Sequence, residues 1–121
     1  MYQVLIAIGS NHLQNAHIQW ASERLASHLH DICLSRKLWT QDIHGNGQWY
    51  MNRLAAGYTS LSVDEISATL KQIEAETFRT KDCVTLDLDL MLYDSERYHL
   101  RDWPRPYIQQ LLPDIKATNL I

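Results

Sequence analysis

The sequence predicts an α+β domain with the element order β-α-β-β-α-β. Three observations carry that reading. The apolar run over residues 4–8 is ended by Gly9-Ser10-Asn11, the pattern of a strand buried on both faces and closed by a tight turn. Ser62-Val-Asp-Glu65 is a capping box, which opens a helix by pairing two otherwise orphaned backbone donors. The stretch TLDLDLML at 85–92 alternates polar with apolar residues, the period of a strand. Filling in between them gives the ferredoxin-like split βαβ arrangement, an antiparallel sheet with both helices on one face. The other face is then open for a ligand, roofed by loops.

The elements follow in order. After the first strand, Asn11 or Ser10 is placed to cap a helix over residues 13–29. Ile18, Ala21, Leu25 and Leu29 make its apolar stripe. A second strand is expected over 32–39, then a loop over 43–48, where Gly45-Asn46-Gly47 tolerates positive φ. A third strand covers 49–59. The capping box starts a helix whose buried stripe is Val63, Ile66, Leu70 and Ile73 and which runs to about Phe78. A fourth strand is expected over 84–93. The remainder, with Pro104, Pro106 and Pro113, is turn-rich with one short helix near 106–112.

Composition narrows the function classes. At 121 residues the chain is one domain, 1–121, able to bury a single core. The 45% hydrophobic and 21% charged residues are ordinary for a soluble protein. The net charge is −3 and no Lys/Arg run exists, which argues against a nucleic-acid footprint. The first apolar run is too short for a signal peptide or a membrane span and lacks a basic flank. Cys33 and Cys83 have no C-x-x-C spacing and read as reduced, buried residues of a cytoplasmic protein. No G-x-x-x-x-G-K-[ST] or G-x-S-x-G motif is present. The six histidines show no H-x-x-x-H spacing, so no zinc site is expected.

The two acids of the fourth strand raise the functional question. Alternation directs Val84, Leu86, Leu88, Leu90 and Leu92 toward the helices, and Thr85, Asp87, Asp89, Met91 and Tyr93 toward the open face. Asp87 and Asp89 are then same-face neighbours with Cα atoms roughly 7 Å apart. Two carboxylates so placed repel each other, and a divalent cation reverses the sign. Magnesium takes one or two carboxylates together with phosphate oxygens and water, which suits a nucleotide site. The competing reading is a strand whose acids only face water.

LIAIGSN at 5–11, Tyr50-Met-Asn52, Gln72-Ile-Glu74 and TLDLDLML at 85–92 stand in the order found in 6-hydroxymethyl-7,8-dihydropterin pyrophosphokinase of folate biosynthesis, which this sequence resembles over residues 4–93. The resemblance implies ATP- and Mg²⁺-dependent transfer of pyrophosphate to the hydroxymethyl group of a dihydropterin, with release of AMP. It implies two magnesium ions held by Asp87 and Asp89, with ATP as co-substrate. Glu74 matches a nucleotide contact and Asn52 a pterin contact, with Tyr50 beside the same pocket. Trp39 and Trp49 offer stacking faces, with Trp39 the candidate for the pterin. Arg79 and Lys81 are the cations available to the phosphates from the segment before the fourth strand, and Lys71 and Arg105 the further candidates for the nucleotide.

The sequence also departs from that family. Val84 stands where the family has an arginine before TLDLD, Lys71 stands where it usually has a glutamine, and the long loop that closes over ATP is reduced to Thr77–Asp82. Two other readings therefore stay open: a non-catalytic paralogue that binds metal or nucleotide, and a ferredoxin-like interaction domain. The expected partners are ATP and a pterin, without nucleic acid or membrane, and the expected state is a monomer or weak dimer.

Overall fold

The first strand, β1 (Tyr2–Ser10), is the hub of the sheet. In the computed structural model, which describes residues 1–42 and 47–118, it pairs antiparallel with β4 (Trp49–Thr59) on one side and β5 (Asp87–Tyr93) on the other. Beyond β4, the expected second strand is divided into β2 (His30–Leu34) and β3 (Leu38–Gln41), both paired to β4's outer edge. A two-residue strand, β6 (Glu96–Arg97), completes the order β2-β4-β1-β5-β6. The α+β, ferredoxin-like expectation holds. Of the expected loop over 43–48, residues 43–46 lie outside the described residues.

Helices α1 (Gln14–His28) and α2 (Val63–Glu76) cover one face. Ile18, Ala21, Leu25, Ile66, Leu70 and Ile73 pack there on Val4, Ile6, Ile8, Leu86, Leu88 and Leu90. The capping box forms, with Glu65 N–H donating to Ser62 Oγ at 3.2 Å and Ser62 N–H to Glu65 Oε1 at 2.9 Å. The cap expected at α1 does not. That helix follows Leu13 in the left-handed region without a side-chain cap. Ser10 Oγ instead donates to the His12 carbonyl, and the Asn11 amide is drawn into tertiary contacts described below. Cys33 and Cys83 are free but only half-buried, rather than buried.

The opposite face is open at one end only. Helix α3 (Pro106–Leu111) and the 3₁₀ segment Leu112–Thr118 lie over Leu5, Ala7, Leu54, Ala56, Met91 and Leu92. This second core explains why the middle of β1 is buried on both sides. It also corrects the expected alternation in β5. Leu5 pairs with Leu92 but Ile6 with Leu90, so the register slips by one residue at Met91. Such a bulge turns the following side chains to opposite faces. Leu92 therefore joins Met91 under α3, while Tyr93 packs on the helical side and donates from Oη to the Leu61 carbonyl at 2.7 Å. Asp87 and Asp89 precede the slip and keep the expected face. Among the described residues no helix is long and apolar enough to cross a membrane.

Candidate active site

One row crosses the uncovered end of the sheet. Gly9 of β1 pairs with Asp87 of β5 and Asn52 of β4, and Asn52 in turn with Leu38 of β3. The next row has Ala7 beside Asp89. A Cβ at Gly9 would come 3.6 Å from Asn52 Oδ1. The missing side chain thus leaves a bare floor between a carboxylate and an amide.

Two clefts meet over this floor. One, of about 200 Å³, is lined by Gly9, Thr40, Gln41, Asp42, Tyr50, Asn52, Asp102, Arg105 and Tyr107. The other, of about 300 Å³, is lined by Ser67, Lys71, Glu74, Arg79 and His99. Asp87 and Asp89 line both.

In the first cleft, Asn52 is buried and its Nδ2 donates to Thr40 Oγ1 at 2.7 Å. That bond fixes the amide plane and turns Oδ1 toward Gly9. Tyr50 Oη accepts from Asn11 Nδ2 at 3.3 Å. Asn11 also clasps Val84: its N–H donates to the Val84 carbonyl and its Oδ1 accepts the Val84 N–H, both at 2.9 Å. Val84 is therefore tied by its backbone to the turn that follows β1. Burial pushes the Tyr107 phenol up to about 12, so it is a hydrogen-bond donor at any physiological pH.

In the second cleft one carboxylate organises the wall. Glu74 Oε2 accepts the Leu88 N–H at 2.6 Å and the Arg79 Nη1 at 3.2 Å. Arg79 Nη1 also reaches Asp87 Oδ1 at 3.0 Å and the Leu86 carbonyl at 3.3 Å. Burial raises the Glu74 carboxyl, against the lowering effect of the Leu88 N–H. Asp89 is pushed up to about 7, chiefly by burial and then by the charge of Asp87. Burial of the carboxyl, with a like charge added beside it, accounts for that.

The family model for 7,8-dihydro-6-hydroxymethylpterin-pyrophosphokinase (HPPK) matches residues 5–117. The chain belongs to the HPPK family. A search of curated proteins finds no match. The family's use of ATP and Mg²⁺ suits the donor set found here, since Asp87 and Asp89 supply only hard oxygen donors on a face that solvent reaches.

The expected HPPK-like residues divide into three groups. Asp87, Asp89, Asn52, Tyr50 and Arg105 line the first cleft, and Glu74, Lys71 and Arg79 the second. Lys81 is exposed and lines neither. Trp39 pairs with Met51, which puts it on the α1 face of the sheet, half-exposed and away from both clefts. The physical reason is register, because β3 offers Leu38 and Thr40 to the Asn52 row and Trp39 to the other face. Thr40, Gln41, Asp42, His99, Asp102 and Tyr107 were not foreseen. The alternation of Leu38-Trp-Thr-Gln41 was the available signal for Thr40. Gln41 ends β3, Tyr107 lies in α3, and Asp42, His99 and Asp102 come from connecting segments; no local period reveals how these dock.

Proposed function

We propose that this chain is an ATP- and Mg²⁺-dependent pyrophosphokinase acting on the hydroxymethyl group of a dihydropterin and releasing AMP. One observation carries the reading: the Asp87–Asp89 pair stands at the junction of two clefts of different chemistry. A planar heterocycle suits the side with Asn52, Tyr50 and Tyr107. A polyphosphate suits the side with Arg79 and Lys71.

In the proposed reaction the hydroxymethyl oxygen bonds to the β-phosphorus as the bond from that phosphorus to the α-phosphate oxygen breaks; AMP leaves on that oxygen, and the hydroxyl proton passes to solvent. Asn52, held by Thr40, presents a carbonyl acceptor to a ring N–H. Tyr107 donates from its phenol. Asp87 and Asp89 would hold magnesium, whose charge offsets that of the phosphates. Arg79 begins on Asp87 and Glu74 and lines the polyphosphate side together with Lys71, so its transfer from carboxylate to phosphate accompanies nucleotide binding. Arg105 begins on Asp102 at 2.7 Å and is released the same way. Positioning and charge neutralisation suffice for such chemistry.

The test is AMP formation from ATP, Mg²⁺ and 6-hydroxymethyl-7,8-dihydropterin. Stoichiometric AMP and pyrophosphorylated pterin support the reading; their absence with a folded enzyme ends it. A second reading, binding without turnover, is favoured by the engagement of both Arg79 and Arg105 with carboxylates. It predicts Mg²⁺-dependent binding of a non-hydrolysable ATP analogue, lost in an Asp87→Asn/Asp89→Asn double variant, and no AMP.

A further inference from the structure

Asp89, His99 and Asp102 converge from a strand and a turn, with their nearest donor atoms all within 4.8 Å of one another. We propose that these three residues form a site for a divalent transition metal, with one imidazole nitrogen and two carboxylate oxygens, that fills in the absence of nucleotide. The proposal deepens the reading above and shares Asp89 with it, but it adds a nitrogen donor that an all-carboxylate magnesium site lacks.

The turn that carries His99 and Asp102 is braced at both ends. Tyr98 N–H donates to the Met91 carbonyl at 3.0 Å, which ties the turn to β5 just past the aspartates. Trp103 is 5% exposed and its Nε1 donates to the Tyr98 carbonyl at 3.0 Å. The Arg97 guanidinium covers the indole at 4.1 Å. Within the turn, Asp102 N–H donates to the His99 carbonyl at 2.8 Å, so both side chains are held over Asp89. A braced backbone that brings the donors together, with Asp102 further restrained by Arg105 Nε at 2.7 Å, is what a preformed metal site needs.

One pair already stands at metal spacing, and the three donors together lie within 4.8 Å. Bonds of about 2.1 Å separate two ligands by roughly 3 Å at a right angle and about 4.2 Å when opposed. His99 Nε2 lies 3.8 Å from Asp89 Oδ1, inside that window. At 3.8 Å the two make no hydrogen bond. Arg105 Nε occupies Asp102 Oδ1, leaving the second oxygen of that carboxylate for a cation. Asp89 lines both clefts, His99 the phosphate side and Asp102 the heterocycle side, so the open coordination positions face both. An imidazole nitrogen shifts preference from magnesium toward manganese, cobalt and zinc.

The experiment titrates Mn²⁺ into the nucleotide-free full chain, read by electron paramagnetic resonance, with pulsed measurement of ¹⁴N coupling. One bound Mn²⁺ is expected, with an imidazole nitrogen coupling present in the wild type and in His12→Gln but absent in His99→Gln. Asp102→Asn and His99→Gln should each weaken binding by about tenfold or more. Circular dichroism confirms that these turn variants stay folded, and Co²⁺ absorption gives an independent view of the same ligands. Bound Mn²⁺ without nitrogen coupling, or unchanged affinity in both variants, overturns the proposal and leaves a carboxylate site alone. No Mn²⁺ binding overturns it too. Nitrogen-coupled Mn²⁺ together with no AMP formation upholds the metal site while the transferase reading falls.

Discussion

The Glu74 carboxylate accepts the backbone N–H of Leu88, the residue between Asp87 and Asp89, at 2.6 Å. The bond joins α2 to the strand that carries the aspartate pair, and it sets where that strand begins relative to the helix. A charged acceptor on a backbone donor is among the stronger protein hydrogen bonds. Glu74→Ala should destabilise the chain by about 1–3 kcal/mol, because it leaves the Leu88 donor unpaired in a half-buried wall. Glu74→Gln keeps an acceptor and should lose less than half as much. Urea denaturation of the metal-free protein measures both.

Arg79 spans Glu74 and Asp87, and it is about one-third exposed. The Arg79–Asp87 pair is open to solvent and contributes little, and Glu74 keeps the Leu88 N–H when Arg79 is removed, so Arg79→Met should lower stability by no more than about 1 kcal/mol. Removing the cation should tighten divalent-metal binding by roughly two- to fivefold, since the repelling charge is gone. AMP formation should fall by on the order of 10²–10³. Metal titration and turnover, measured on one preparation, must move in opposite directions.

Asp89 sets the pH response of the metal-free protein. Its carboxyl ionises near 3.8 in an unfolded chain and at about 7 when folded. The folded state therefore holds the extra proton between those values, and the Asp89 contribution to stability declines as pH rises through the window, then levels off above 7. At pH 8 the Asp89→Asn variant should be more stable than wild type by on the order of 1 kcal/mol, or roughly 4 °C in melting temperature. The difference should vanish near pH 4. Thermal melts across that range, with chelator present, provide the check.

Gly9 is kept bare by the site, with no demand from the backbone. Its Cβ position meets only Asn52 Oδ1, at an ordinary 3.6 Å, so Gly9→Ala fits the fold. A strand interior gains from alanine, and stability should stay level or rise by up to about 1 kcal/mol. The added methyl occupies the floor between Asp87 and Asn52, and the pterin KM should rise by roughly tenfold. A variant that melts later but binds worse would mark this row as substrate floor. Unchanged KM would exclude it.

Thr40 positions Asn52. Asn52→Ala should raise the pterin KM by roughly 10–100-fold, the loss of a well-placed polar contact. Thr40→Val removes the partner at 2.7 Å without touching the ligand edge and should raise KM several-fold with kcat less affected. Trp39→Ala, on the other face of the sheet, should change KM by about twofold or less. Steady-state kinetics with varied pterin at saturating ATP separates the three.

The residues that could be found in the sequence are those whose placement is local. The capping box at Ser62 formed because its two bonds span only three residues. Asp87 and Asp89 share a face because strand alternation needs no partner to hold. Where the outcome depended on register, reading failed. Leu92 and Tyr93 exchanged faces at a bulge opposite Leu5 and Ile6, and Trp39 fell on the α1 side because β3 pairs Leu38 with Asn52. Asn11 left its expected cap for Val84, a partner 73 positions along the chain.

By itself, then, the sequence determined the α+β order, the helical stripes and the paired carboxylates, all of which follow from periods of two and 3.6 residues. Only the tertiary structure decided that a turn braced by Tyr98 and Trp103 brings His99 and Asp102 over Asp89, and that Tyr107 faces Tyr50's cleft. Side-chain periodicity is a short-range property of the backbone. The meeting of a turn with a distant strand depends instead on long-range register and packing, which leave no repeat in the sequence.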